Sequence, residues 1–258
     1  MKFIVNAANH KVIHSFTRVL AEAVDIHEPN DVYLISPWLK DVRLPVGEVV
    51  FSTRMLRQEM RLLELLEHLL KVHRLWVVVK PPHELFALDE LAPLRERLDL
   101  LEHAQAEQGH IRQAIFDAVI RHLRLQVQAA VDGLMVHVET ITLARKLSEM
   151  GARVLFLPQL HAKLLWTPRA TLFGSANFTN GGLTYNEELA AELDSAAVPL
   201  KLVQGFVERA TPIEQYRLSS ALRRAGVDSN TLADLGMRRE VSFHPQLQQT
   251  LEYLAQMR

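Results

Sequence analysis

The apolar positions of this chain change period several times, and each change marks an element. Val12, Ile13, Phe16, Val19, Leu20 and Ala23 recur at three- and four-residue intervals, which predicts an amphipathic helix over 10–24. The apolar run inside Asp31-Val-Tyr-Leu-Ile-Ser-Pro-Trp38 is closed by Pro37 and reads as a buried strand. Leucines at helical spacing over 55–72 lead into Leu75-Trp-Val-Val-Val79, a second strand stopped by Pro81-Pro82. From Glu84 to about Ala130 the pattern is helical, punctuated by Pro93 and Gly109, and a further helix reaches Met150 and closes at Gly151, a C-terminal cap. Arg153-Val-Leu-Phe-Leu157 is the next strand, and short strands follow at about 160–167, 170–174 and 188–193. After Pro199 the pattern returns to helix and ends in Leu247–Met257.

Strands alternating with helices predict an α/β fold, a mixed β-sheet sandwiched by helices. The 258 residues fit one large domain with an appendage. We expect the α/β domain over 1–200, with a helical insertion at about 84–135, and a helical extension over 201–258. Two readings of the insertion stay open: a dimerisation or partner-binding element, and a helical layer over the sheet. The sequence contains no internal repeat, low-complexity segment or flexible linker.

Composition narrows the function classes. No apolar run approaches the roughly 18 residues of a membrane span, so no membrane association is expected. The start, Met1 to His10, turns polar too soon for a secretory signal, and the absence of cysteine removes disulfides and thiolate metal sites. Both features lead us to expect a cytoplasmic protein. With 29 basic against 30 acidic side chains, net charge gives no reason to expect nucleic-acid binding, and a phosphate-binding protein of this balance must concentrate positive charge locally. Arg121 with Arg124, Arg223-Arg224 and Arg238-Arg239 are candidate backbone contacts, although arginines balanced by nearby acids on a solvated surface fit equally. His122 and His137 lie in helical territory without partners at metal spacing, which fits structural or exposed histidines and no metal site.

The chemistry concentrates between 161 and 188. On a strand, residues i and i+2 share a face, so His161 and Lys163 are expected to project together. An imidazole attacks phosphorus or donates a proton near neutral pH, and a lysine two positions on neutralises a non-bridging phosphate oxygen. Gly174 permits a tight turn or close backbone approach, and Ser175 and Asn177 sit where a following helix would begin and direct N–H groups at an anion. Glu188 is placed to accept the imidazole N–H and hold its tautomer. Upstream, Trp38 is a candidate to stack on a base at the edge of the cleft, and Ser36 to add a hydrogen bond there. Each signal alone is ordinary: His-x-Lys is commonest on a solvated strand face and Gly-Ser-x-Asn in a plain turn. Their order and spacing together make the pattern specific.

The run His161-Ala-Lys163-Leu-Leu-Trp, then Leu172-Phe-Gly174-Ser175-Ala-Asn177-Phe-Thr179-Asn-Gly-Gly-Leu183, then Asn186-Glu-Glu188-Leu closely resembles the phospholipase D superfamily. The match is strong over roughly 152–194, and Tyr33-Leu-Ile-Ser-Pro-Trp38 resembles the early family strand. The resemblance implies metal-independent phosphodiester hydrolysis without a cofactor, through two His-Lys sites about a pseudo-dyad. One histidine forms a phosphohistidine; the other protonates the leaving oxygen and then activates water. His10-Lys11, His73-Arg74 and His83-Glu84 lack the spacing of a second motif, so the resemblance to small single-motif bacterial members implies a homodimer that builds the site across its two-fold axis. It further implies a nuclease acting on nucleic acid, DNA favoured, in a bacterial genome-defence setting with possible protein partners. The alternatives are a catalytically inactive nucleic-acid-binding or scaffolding subunit of a larger complex, and a phospholipid phosphodiesterase. The chain departs from the family pattern in one respect. The aspartate commonly found five positions after the lysine is Pro168, and the interval to Gly174 is about one residue shorter.

Overall fold

The pattern of apolar runs condenses into a sheet whose centre is parallel and whose flanks are antiparallel. A computed structural model describes residues 1–6, 11–49, 58–85, 88–107, 113–224 and 245–256. In chain order the first elements are β1 (Lys2–Val5), α1 (Val12–Val24), β2 (Asp31–Ile35), β3 (Arg43–Leu44), α2 (Val46–Val49), β4 (Met60–Arg61), α3 (Leu62–Leu70) and β5 (Arg74–Val79). The helices α4 (Pro82–Leu85), α5 (Leu88–Glu107) and α6 (Gln113–Glu149) follow. Then come β6 (Arg153–Phe156), β7 (Leu164–Trp166), β8 (Ala170–Gly174), β9 (Leu189–Asp194), α7 (Leu200–Glu208), β10 (Thr211–Pro212), α8 (Leu218–Arg224) and α9 (Pro245–Gln256).

Eight strands form one mixed sheet in the order β1-β9-β8-β7-β2-β5-β6-β10. The parallel trio β2, β5 and β6 occupies its middle, and the pairs β1–β9, β9–β8, β8–β7, β7–β2 and β6–β10 are antiparallel. β3 and β4 pair separately. Strands covered on both faces read as unbroken apolar runs, which is why β2 and β5 are visible in the sequence as such. Their Val32, Leu34, Val77 and Val79 are buried, as are Tyr33, Ile35 and Val78 of opposite parity.

The two faces have different covers. Ile35, Val78, Leu155 and Leu164 pack under Val203 of α7. The opposite face meets α1, whose apolar stripe of Val12, Ile13, Phe16, Val19, Leu20 and Ala23 is buried and whose Arg18 bonds both Glu22 and Glu192. By residue contacts the chain divides into two units, one of Met1–Pro81 with Glu139–Tyr216 and one of Pro82–Val138 with Arg217–Arg258. The sheet and its covers form the first. In the second, Leu98, Ile120 and Val127 are buried, and Arg124 holds Glu102 at 2.7 Å across α5 and α6. The helical stretch expected to break near 130 is one 37-residue helix, α6.

Two strands in the large sheet escape the periodicity. β1 has only Ile4 buried, and β10 is two residues long; each exists because a neighbouring strand edge pairs with it. The helix expected over 55–72 begins only at Leu62, after β4, and residues 55–57 lie outside the described ones.

Two glycines make opposite demands on the backbone. Gly151, just after α6, has φ +96°, whereas a Cβ placed on Gly205 in α7 would meet nothing within 4 Å. Gly151→Ala is therefore expected to cost about 1–2 kcal/mol, and Gly205→Ala to add about 0.5–1 kcal/mol through helix propensity. Urea unfolding of both variants measures the pair; equal signs would contradict this reading.

Candidate active site

The segment that holds His161 and Lys163 is anchored by its apolar neighbours. β7 pairs with β2 through Ile35↔Leu164 and with β8 through Leu164↔Phe173. The strand expected over 160–167 is shorter than that, because β2 turns away at Ser36-Pro37 and leaves 161–163 without a ladder partner on that side. Lys163 is nevertheless fixed at the mouth of the sheet, since the Gly174 N–H donates to its carbonyl at 3.2 Å. Ala162 packs against the core cluster of Tyr33, Ile35 and Leu164, so its two neighbours turn away from that core. His161 is exposed and Lys163 half-buried. Just upstream, Gln159 holds φ 56°, a left-handed backbone seen rarely outside glycine and common where a chain is strained near a site.

The second motif crosslinks β8 to β9. The Ser175 N–H donates to the Leu189 carbonyl at 2.9 Å, and the Leu189 N–H donates to Ser175 Oγ at 3.1 Å. The same hydroxyl donates to the Glu188 carboxylate. This closeness requires glycine at 174, where a Cβ would stand 2.2 Å from the Leu189 carbonyl oxygen and 2.7 Å from the Ala190 Cα. Gly182 plays the same part on the next turn, where a Cβ would stand 2.3 Å from the Asn177 carbonyl oxygen. The backbone after Ser175 forms only a π-helical turn, Gly181–Tyr185, and the Ser175 N–H is already used. No helix starts directly after Gly174, and the Ser175 N–H is not available to an anion.

Asn177 Oδ1 is buried with no hydrogen-bond partner among the described residues. A buried acceptor left unpaired is costly, so the amide awaits a donor. The early strand reaches this same place. The Phe178 N–H donates to Ser36 Oγ at 3.3 Å, Ser36 Oγ donates to the Trp38 carbonyl at 2.8 Å, and the Lys40 N–H donates to the Phe178 carbonyl at 3.0 Å. Ser36 is 1% exposed and both its bonds are internal, so it builds the wall and does not line the cleft. Trp38, 40% exposed, stands at the surface, where a base-stacking residue has to be.

Electrostatics add a residue that the motif omits. Burial holds the Lys163 ammonium below the ordinary lysine range; the Glu188 carboxylate pulls it upward, and the Lys80 ammonium pushes it further down. Glu188 thus serves Ser175 and Lys163. No hydrogen bond joins it to His161 within the chain, and the orienting role expected of it there is not formed in a single copy. Asn6 is a further residue without a signal in the sequence pattern. Its amide donates to the Gly182 and Asn186 carbonyls at 3.0 and 2.9 Å, while its Oδ1 accepts the Val12 N–H at 2.7 Å, tying the motif loop to α1.

Among the other histidines, His73 is buried, with Nε2 on the Ala23 carbonyl at 2.9 Å and Nδ1 accepting the Asn30 N–H at 3.3 Å. Both nitrogens serve the scaffold. His83 belongs to the second unit, 4.0 Å from Glu84, and His10 lies outside the described residues, as do Arg238-Arg239. His122 is exposed on α6. Pro168 sits in the β7–β8 turn, where Thr167 Oγ1 donates to the Ala170 carbonyl at 3.0 Å. That turn lies at the far end of β7 from Lys163, so an acid at 168 would not reach the motif. Among the described residues no group of three or more His, Cys, Asp or Glu side chains gathers at metal-binding range.

A lysine pKa lowered by folding means that its charge costs stability at neutral pH, a cost removed as pH rises from the lowered value towards the ordinary 10.5. Glu188→Gln removes the upward pull and is expected to lower the Lys163 pKa further, read from lysine side-chain NMR; a rise would contradict the geometry. Gly174→Ala is expected to lose about 1–3 kcal/mol in denaturant unfolding through overpacking, and an unchanged midpoint would show that β9 yields.

No family model and no curated protein matches the chain. Solved structures similar to it include two bacterial proteins. The phospholipase D family member Nuc from Salmonella typhimurium is 10% identical, with 82% of this chain and 95% of that one covered at a TM-score of 0.41. NucT from Helicobacter pylori is 10% identical, with 82% of this chain and 98% of that one covered at a TM-score of 0.38.

Proposed function

We propose that this protein is a metal-independent phosphodiesterase, a nuclease acting on DNA or RNA through a phosphohistidine at His161. One observation carries the reading: Lys163, Ser175 and Glu188 are linked at the sheet end beside an exposed imidazole with no internal hydrogen bond among the described residues, and two residues after Ser175 the buried Asn177 Oδ1 has no partner among them. An uncommitted imidazole is available as a nucleophile. Lys163, and Asn177 through its amide N–H, face the non-bridging oxygens, where charge develops. In the first step a ring nitrogen of His161 bonds to phosphorus as the P–O bond breaks, and the leaving oxygen takes a proton from His161 of a second copy. In the second step that imidazole accepts a proton from water, the hydroxide bonds to phosphorus and the P–N bond breaks.

A second copy has a surface to occupy. Phe3, Val5, Phe173 and Leu189 are exposed, and the registers Phe3↔Ala191↔Phe173 and Val5↔Leu189 put them on one face of β1, β9 and β8. Leu189 also bonds Ser175, so this apolar face borders the motif. DNA is the favoured substrate, with a cytoplasmic, genome-defence setting and further protein partners as extensions of the family likeness in the motif. A phospholipid substrate is the weaker enzyme reading, and no helix among the described residues is long and apolar enough to cross a membrane. The absent Glu188–His161 bond favours a second reading, an inactive nucleic-acid-binding or scaffolding subunit, in which His161→Ala leaves biological activity intact.

A cleavage assay on plasmid DNA in EDTA decides between them. Wild type is expected to cut and His161→Ala to lose about 10³-fold or more; cleavage that needs magnesium would contradict the proposal. In solution the protein is expected to be a dimer, with Phe3→Glu plus Leu189→Glu giving an inactive monomer. An active wild-type monomer would refute the shared site.

A further inference from the structure

Lys80 has no place in the motif, yet the sheet delivers it to the same cleft. Across the sheet Ile35 of β2 is paired on one side with Leu164 of β7 and on the other with Val78 of β5. At this row β2 and β7 end, and β5 ends one residue later at Val79. The Ser36 N–H donates to the Val78 carbonyl at 3.0 Å and the Lys80 N–H to the Pro37 carbonyl at 3.4 Å. Lys163 enters β7 on the other side of that same Ser36-Pro37-Trp38 turn. The two lysines therefore flank one turn, their backbones about two strand spacings, roughly 10 Å, apart, within reach of each other's long side chains.

We propose that Lys80 is a second phosphate-binding residue of the candidate site, a positioning cation that grips the phosphodiester backbone from the β5 side while Lys163 grips it from the β7 side. This rests on the phosphodiesterase reading and deepens it. The ammonium groups are close enough for Lys80 to oppose the charging of Lys163, and the Glu188 carboxylate acts on Lys163 in the opposite sense. Two like charges held around one turn repel until an anion bridges them, and a phosphodiester is an anion with two non-bridging oxygens to share. The exposed Trp38 lies on the turn between them, where a base next to the bound phosphate would meet its ring. The net charge of −1 gives the protein no general attraction for nucleic acid, so a local pair of this kind supplies what the overall composition lacks.

The test uses the full-length protein with inorganic phosphate as probe, titrated against the side-chain resonances of its lysines, in wild type, Lys80→Met and Lys80→Arg. Lys80→Met keeps most of the apolar stem and loses the charge. Its phosphate affinity is expected to fall about tenfold and its salt dependence of DNA binding to lose about one unit of slope, with Lys80→Arg restoring both. In the same variant the Lys163 pKa is expected to rise, a change that a merely structural role would not produce. Unchanged phosphate affinity in Lys80→Met would overturn the proposal. Lys80-dependent phosphate binding without any cleavage of DNA would uphold the lysine pair and contradict the nuclease reading. Cleavage in EDTA with phosphate affinity indifferent to Lys80 would do the reverse.

Discussion

The close approach of β8 and β9 at Gly174 is the constraint from which the rest of the site follows. A carbonyl oxygen that would sit 2.2 Å from any Cβ at that position can approach only because none exists there. The approach lets Ser175 exchange two hydrogen bonds with Leu189 and donate its hydroxyl hydrogen bond to Glu188. It thereby sets the Glu188 charge within range of Lys163, whose carbonyl is itself held by the Gly174 N–H. Move β9 outward by one side chain and the carboxylate, the hydroxyl and the lysine part company, and β1, which pairs only with β9, loses its place.

A second link joins the early strand to the motif loop in this nearly charge-balanced protein. The early strand turn is zipped to the motif by Ser36, which accepts from Phe178 and donates to Trp38, so residues far apart in the chain share one wall. β5 ends beside that turn and brings Lys80 with it. Topology, with no basic run in the sequence, is what brings Lys80 within electrostatic range of Lys163.

What the sequence made legible were the features set by local pattern. The continuous apolar runs of β2 and β5, the stripe of α1, and the Gly151 stop with its φ of +96° are each dictated by a few neighbouring residues. The candidate nucleophile and its companions were legible too, since the spacing of His161, Lys163, Gly174, Asn177 and Glu188 is a property of three short segments. What stayed hidden depends on partners distant in the chain. β1 carries one buried residue and is a strand because β9 accepts it; Ser36 has the sequence signature of a ligand contact and is a buried clamp; Lys80 and Asn6 come near the motif through pairings that no periodicity encodes. Analogy with orienting carboxylates pairs Glu188 with His161, while among the described residues Glu188 accepts from the Ser175 hydroxyl and acts electrostatically on Lys163.

The most direct test of the central claim is to trap the intermediate. The protein would be mixed with a labelled phosphodiester in EDTA, quenched in alkali within a turnover, and its peptides mapped by mass spectrometry. The expected result is an acid-labile phosphoryl adduct on the imidazole of His161 that disappears on mixing with water for longer times and never forms in His161→Ala. Turnover with no adduct at His161, or an adduct on another side chain, would contradict it.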